Sequence, residues 1–308
     1  MQKRNLTYVA TSAAIVLIIG LVWLIVNMRN AHLPHKLTDV PKLLFTINGG
    51  LVQLNHPMDT AIADNGSIYV SDSGNNQVQV FNTKGKFLFS FGEQENSGLE
   101  LKTPYGLAIL PNGTILVSDM LNHRIVQYSL QGKFLKIFLP ASLGIKPGML
   151  LATKNELFIA DLAGNRVVAA NFQGQILHSY NPGFSFPQGM AMINGKLAVA
   201  DAGNNLVRLI DLASGAATTI TGTAQSNRSF NILRGIAVDN LDRLLVVDSG
   251  ASQVRFMTVQ GKNLFTIGAP GKGAAQLQFP CGITVGAQGR IYIADWANNR
   301  VQVLGYGG

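Results

Sequence analysis

A single cysteine, Cys281, means that no internal disulfide can form, so packing and hydrogen bonds must hold the fold. The five histidines stand in no CxxCH or HExxH spacing, and no CxxC occurs. Zinc-ribbon, c-type haem and zincin chemistry are therefore excluded, and no cofactor is expected. Charge is scarce, at 13% of residues. The formal net charge of +8 is concentrated at the start: residues 1–42 carry five basic residues against one acidic, leaving 19 basic and 15 acidic beyond them. No Lys/Arg run with interleaved aromatics occurs, so nucleic acid is not an expected partner.

Apolar residues (47%) and glycine (33 residues) are abundant. A short run of strand formers ending in aspartate recurs six times, at Asp72, Asp119, Asp161, Asp201, Asp248 and Asp295. The intervals are 47, 42, 40, 47 and 47 residues, a period that marks a propeller, a solenoid or an array. Upstream of each aspartate stands a Pro-x-Gly-like turn at Pro57, Pro104, Pro147, Pro187 and Pro280, with Leu233 in the fifth copy. Four residues downstream comes Asn76, Asn165, Asn205 or Asn299, with His123 and Ser252 in the other two copies. A last strand follows, as in GKFLFSFG (85–92). Four short strands separated by Gly, Asn and Asp turns make one propeller blade, so the chain is expected to be an all-β, six-bladed β-propeller.

The order Pro-x-Gly-(Ile/Leu)-Ala, strand-Asp, Asn-x-Val, Gly-Lys-x-Leu resembles the NHL repeat over roughly residues 42–306. The linker GAPGKGAAQLQFPCG (268–282) is close to the way that family joins its blades. The resemblance implies the fold. It leaves function open, since such propellers serve as lyases, ligase targeting modules, RNA binders and sensor domains.

Before the repeats, residues 1–7 form a basic tail, and Tyr8–Met28 carries no charge. Twenty-one residues at about 1.5 Å each match a hydrocarbon core of about 30 Å. This length and the absence of a small-x-small cleavage site favour an uncleaved signal anchor through residues 8–28 over a signal peptide. The flanking charges favour the propeller (42–308) on the extracytoplasmic side. Residues 29–41, with two prolines, are expected to be an extended, exposed linker. The sixth repeat reaches its third strand at 301–304, whereas KLLFTINGG (42–50) has no partner of its own. The expectation is that this N-terminal strand, Leu43–Ile47, closes the last blade and removes an open edge.

The six aspartates are equivalent by position, which favours a structural role at the strand ends over a functional ring. Any ligand or partner site is expected where the repeats are unequal, at the axial mouth. The residue after the proline position is Met58, Tyr105, Gly148, Gln188, Arg234 or Cys281, and the next is Asp59, Gly106, Met149, Gly189, Gly235 or Gly282. Asp59, Tyr105, Gln188 and Arg234 are thus the candidate site. Asp59 and Arg234, the charged members, either bind a polar ligand or pair with each other. The amidating lyases of the family hold zinc with histidines in such turns, and no histidine occupies these twelve positions. Lactonase-type propellers gather several axial carboxylates and amides for calcium, and Asp59 and Gln188 alone fall short of the roughly six to eight oxygens it prefers. Nothing here argues for an enzyme, so no catalytic or metal residue is assigned. The favoured reading is a membrane-anchored scaffold or sensor subunit contacting a membrane or envelope complex. The alternative is an envelope hydrolase or lyase at the axial mouth. Segments 93–103, 179–186 and 217–229 are the variable loops expected to choose a partner.

Overall fold

The computed structural model describes residues 36–93, 98–221 and 229–306. The basic tail, the uncharged segment 8–28 and the start of the linker lie outside the described residues. Among the described residues, no helix is long and apolar enough to cross a membrane.

The described residues form six antiparallel sheets of four strands each. The innermost strands are Pro57–Ile62, Pro104–Ile109, Pro147–Ala152, Pro187–Ile193, Leu233–Val238 and Pro280–Val285, and each packs on the next around one axis. Proline is tolerated at their first position because an edge strand needs no donor there. In every blade the register shifts between the proline position and the residue three further on. The expected turn is thus a bulge at the head of the strand, which bends the chain into the axis. Close approach follows from the collar of Gly106, Gly189, Gly235 and Gly282. A Cβ on Gly235 would stand 2.5 Å from the Cys281 carbonyl oxygen, and one on Gly282 2.5 Å from Asp59 Oδ1.

Four of the second strands, such as Ile68–Asp72 and Leu244–Asp248, are buried at every residue, and the other two at all but the first, as their apolar runs require. Each pair of neighbouring blades shares one buried apolar cluster, including the pair formed by blades 6 and 1.

Inner strands begin, second strands end and blade-to-blade linkers cross on one flat side, the aspartate face. The opposite side, the hairpin face, carries tight turns and the approach of residues 36–41 to the closing strand. After five of the aspartates a 3-10 turn ends on a left-handed residue: Asn76, His123, Asn205, Ser252 or Asn299. Asn165 takes the same left-handed conformation in blade 3, at φ 49°. Asparagine tolerates this region best among non-glycine residues, and here it does more. Asn76, Asn165, Asn205 and Asn299 Oδ1 accept the N–H of Thr103, Phe186, Ile232 and His56 in the next blade, at 2.8–2.9 Å. The repeated asparagine therefore clasps one blade to its neighbour.

The N-terminal strand, Lys42–Ile47, pairs antiparallel with Arg300–Gly305 and completes the last blade, with Leu43 opposite Leu304 and Ile47 opposite Val301. Ile47 is buried and Phe45 half-buried, whereas Leu44 is 44% exposed. Two expectations need correcting. Ala217–Ile220 is the fourth strand of blade 4, paired with Val207–Ile210, rather than part of a loop. Residues 36–41 are not free linker. The fully buried Arg243 Nη1 donates to the carbonyls of Leu37 and Asp39, both at 3.0 Å, while Nη2 donates to Tyr306 Oη at 2.7 Å. Asp239 neutralises this guanidinium at 2.7 Å, and the rings of Phe256, Phe265 and Tyr306 surround it. The approach to the closing strand is thereby fixed against blade 5.

Candidate functional site: the two ends of the axis

The six repeat aspartates are fully buried. One oxygen of each accepts a backbone N–H from the linker entering its own blade: Asn55, Lys102, Lys146, Ser185, Asn231 and Gln278, at 2.7–3.1 Å. In five blades the other oxygen pairs with a guanidinium, from Arg124, Arg166, Arg208, Arg255 or Arg300, at 2.6–2.8 Å. In blade 1, Asn75, Gln77 and Gln79 replace the arginine, donating to Asp72 Oδ2 at 2.7–2.9 Å. Every carboxylate is thus saturated by its own turn. Sequence reasoning did not single out the arginines, because they stand at either five or seven residues after the aspartate.

The axis is different. Tyr105, Gln188 and Arg234 meet at the aspartate-face end: Tyr105 Oη donates to Gln188 Oε1 at 2.9 Å and accepts from Arg234 Nη1 at 2.9 Å. Burial pushes the Tyr105 hydroxyl up to about 12, so it keeps the proton that this chain of bonds needs. The three side chains come from blades 2, 4 and 5, and together they cross the channel as a plug. Beside them, burial pushes the Cys281 thiol up to about 12, which leaves it a neutral, unreactive side chain at neutral pH.

Asp59 does not join this group, and it does not pair with Arg234. It stands one residue further down its strand, and its Oδ2 accepts the N–H of Leu107 at 3.0 Å. Beyond the plug it helps line an axial cavity of 360 Å³ whose walls are the inner strands of all six blades. The last lining residues, Ile62, Ile109, Ala152, Met192, Val238 and Val285, are all half-buried, so the cavity opens on the hairpin face. Burial pushes the Asp59 carboxyl up to about 7, against the pull of its backbone hydrogen bonds.

A third feature lies around the plug. The residue just before the proline position adopts a left-handed backbone in five blades: His56, Thr103, Phe186, Ile232 and Phe279, with φ between 48° and 57°. For bulky or β-branched residues this conformation is strained. In blades 4, 5 and 6 the side chains so held are nonetheless exposed and apolar: Phe186 at 41%, Ile232 at 42% and Phe279 at 47%. They form an arc on the aspartate face beside Arg234. Reading that one position across the six repeats would have shown the change from His56, Thr103 and Lys146 to Phe186, Ile232 and Phe279. Among the described residues no group of three His, Cys, Asp or Glu side chains could hold a metal ion.

Residues 54–81 and 277–304 match the family model of the NHL repeat. A search of the curated proteins returns no match. Solved structures are similar at low identity. A putative gluconolactonase is 16% identical with a TM-score of 0.65, covering 90% of this chain and 97% of that one. A virginiamycin B lyase from Staphylococcus aureus, solved with quinupristin, is 18% identical with a TM-score of 0.62, covering 87% and 88%. A chain of a nidogen/laminin complex is 15% identical with a TM-score of 0.58, covering 69% and 80%. At these identities the likeness is one of fold.

Proposed function

We propose that this six-bladed propeller of NHL repeats is an interaction module whose aspartate face receives a protein partner. The uncharged segment at residues 8–28 holds it at a membrane, as a scaffold or sensor subunit of a membrane or envelope complex. The observation that carries this reading is the arc of Phe186, Ile232 and Phe279. A fold that needs a left-handed residue at this position is served at lower cost by glycine or asparagine. Three successive blades instead hold large apolar side chains in water, an arrangement that marks a binding surface. Arg234 stands at the centre of that surface, bonded to Tyr105 and paired with no carboxylate among the described residues. The partner chemistry that fits is an apolar surface presenting one acidic group. The known structures of similar fold include two enzymes and one protein complex, so fold alone does not decide between these roles.

The test is co-purification from solubilised membranes with wild-type protein, Ile232→Asp and Arg234→Glu. A partner retained by wild type should be lost, by tenfold or more (about 1.4 kcal/mol), with both variants. Retention by both variants contradicts the assignment to this face.

A further inference from the structure

The axial cavity on the hairpin face plays no part in the partner surface, yet it has the features of a binding site. Its floor holds one carboxylate, Asp59, which is only 7% exposed. None of its lining residues is Lys, Arg or His, and among the described residues no ion pair involves Asp59. The walls are mostly aliphatic, from Leu107, Leu150, Met190 and Ile236 near the floor to Ile62, Ile109, Met192, Val238 and Val285 at the mouth, with the hydroxyls of Thr60 and Thr284, bonded to each other at 3.0 Å, among them. Each inner strand is also the terminal strand of its sheet, so main-chain groups on its free side face the axis and require partners. The volume of 360 Å³ lies within the range of small-molecule sites, about 300–1,000 Å³.

These features select a ligand. An anion would meet Asp59 with no cation to offset it, and a neutral apolar molecule would leave the carboxylate, held only by backbone N–H groups, without a counter-charge. A primary ammonium gives one N–H to the carboxylate and the others to carbonyls, while an alkyl body fills the aliphatic walls. Asp59 lies three residues below the mouth residue Ile62, roughly 10 Å at about 3.3 Å per residue, which calls for an extended chain. We propose that the axial cavity binds a straight-chain primary ammonium, its head on Asp59 and its alkyl chain directed toward the hairpin face. The same chemistry is carried by a free alkylamine and by the lysine side chain of a protein loop. The assignment stands independently of the aspartate-face partner, since the plug separates the cavity from that face and the cavity opens on the other.

The test is calorimetric titration of the full-length protein in detergent with four probes: n-hexylamine, Nα-acetyl-lysine methylamide, hexyltrimethylammonium and hexanol. Saturable one-to-one binding is expected for n-hexylamine, with hexanol and hexyltrimethylammonium at least about tenfold weaker. Asp59→Asn should weaken n-hexylamine by about tenfold or more. Val238→Trp, which narrows the mouth and leaves Asp59 in place, should do the same. Binding should also weaken by about thirtyfold from pH 8 to pH 5.5, as Asp59 gains its proton and the binding-competent fraction falls. Of the groups at the plug, Tyr105 and Cys281 stay neutral throughout because burial holds both at about 12, and Arg234 is bonded to Tyr105 rather than to Asp59. A lysine amide that binds as tightly as n-hexylamine identifies a protein loop as the source, and a weaker one identifies a free amine. Absence of n-hexylamine binding at millimolar concentration overturns the proposal. So does equal binding by hexanol, or unchanged affinity in both variants.

Discussion

On the aspartate face, Leu51, Val52, Leu121, Leu143, Phe186, Ile232 and Phe279 all stand exposed. The turns of the hairpin face, built from the same six repeats, expose no large apolar side chain among the described residues, and the exposed Leu37 and Val40 on that side belong to the approach segment held by Arg243. Both faces are made of turns, so the difference is not one of loop against strand. Most hairpin-face turns close on a glycine at positive φ, such as Gly66, Gly85 and Gly289, and blade 5 uses Asp242 at φ 53°, as tight turns demand. Aspartate-face turns use asparagine and larger residues in the left-handed region. Blades 1 to 3 fold with His56, Thr103 and Lys146 where blades 4 to 6 have Phe186, Ile232 and Phe279, so folding does not require the apolar arc. The regular parts of the repeat carry the fold, and both proposed binding sites lie at its departures.

Three changes test how far the two faces depend on each other. The largest effect is expected from removing residues 1–49, which takes away the closing strand and the carbonyls held by Arg243. Loss of Leu43, Phe45 and Ile47 packing, at about 1.5–3 kcal/mol for the fully buried Ile47 and less for the half-buried Leu43 and Phe45, takes a large share of a domain's margin of about 5–15 kcal/mol. Both faces should fail together. A chain starting at residue 36 should melt cooperatively, and one starting at residue 50 should precipitate or melt far lower. Equal melting temperatures would show that the closing strand contributes nothing.

Asp248→Ala should act on the aspartate face first. It leaves the Arg255 guanidinium, only 5% exposed, without its carboxylate, at a cost of about 3–5 kcal/mol in urea unfolding. Amide exchange should rise first at Asn231, whose N–H bonds Asp248 Oδ1 at 2.9 Å, and not at the hairpin turns. The smallest change is Asp59→Asn. A carboxyl raised from 3.8 to about 7 is protonated in the folded state and ionised in the unfolded state between those values. Wild-type stability should therefore fall as pH rises from about 4 to about 7, by an amount on the order of a few kcal/mol. Asp59→Asn should abolish that slope, and a persisting slope would mean that Asp59 is ionised where it stands.

The blade order, the six aspartates and the closing strand were legible in the sequence because each rests on a local pattern repeated in register. The candidate axial residues were legible as departures from that pattern. Their grouping was not, since whether Arg234 reaches Asp59 or Tyr105 depends on depth along the axis, which one residue of offset decides. Arg243 was opaque for a similar reason: its partners at residues 37, 39 and 306 are distant in sequence, and a lone arginine in a turn reads as solvated. The segment 217–220 was misread because Ala-Thr-Thr-Ile lacks the Gly-Lys-x-Leu signature of the other outer strands, although β-branched residues suit an edge strand.

The central claim is that the aspartate face, and not the hairpin face, receives the partner. A photo-crosslinking side chain placed at position 232, 279 or 112 of the full-length protein in native membranes tests it directly. Ile232 and Phe279 stand on the aspartate face, and Asn112 is exposed in a hairpin-face turn. Discrete protein adducts from positions 232 and 279, with none from 112, are the predicted result. An adduct from position 112 alone, or none from either 232 or 279, would contradict it.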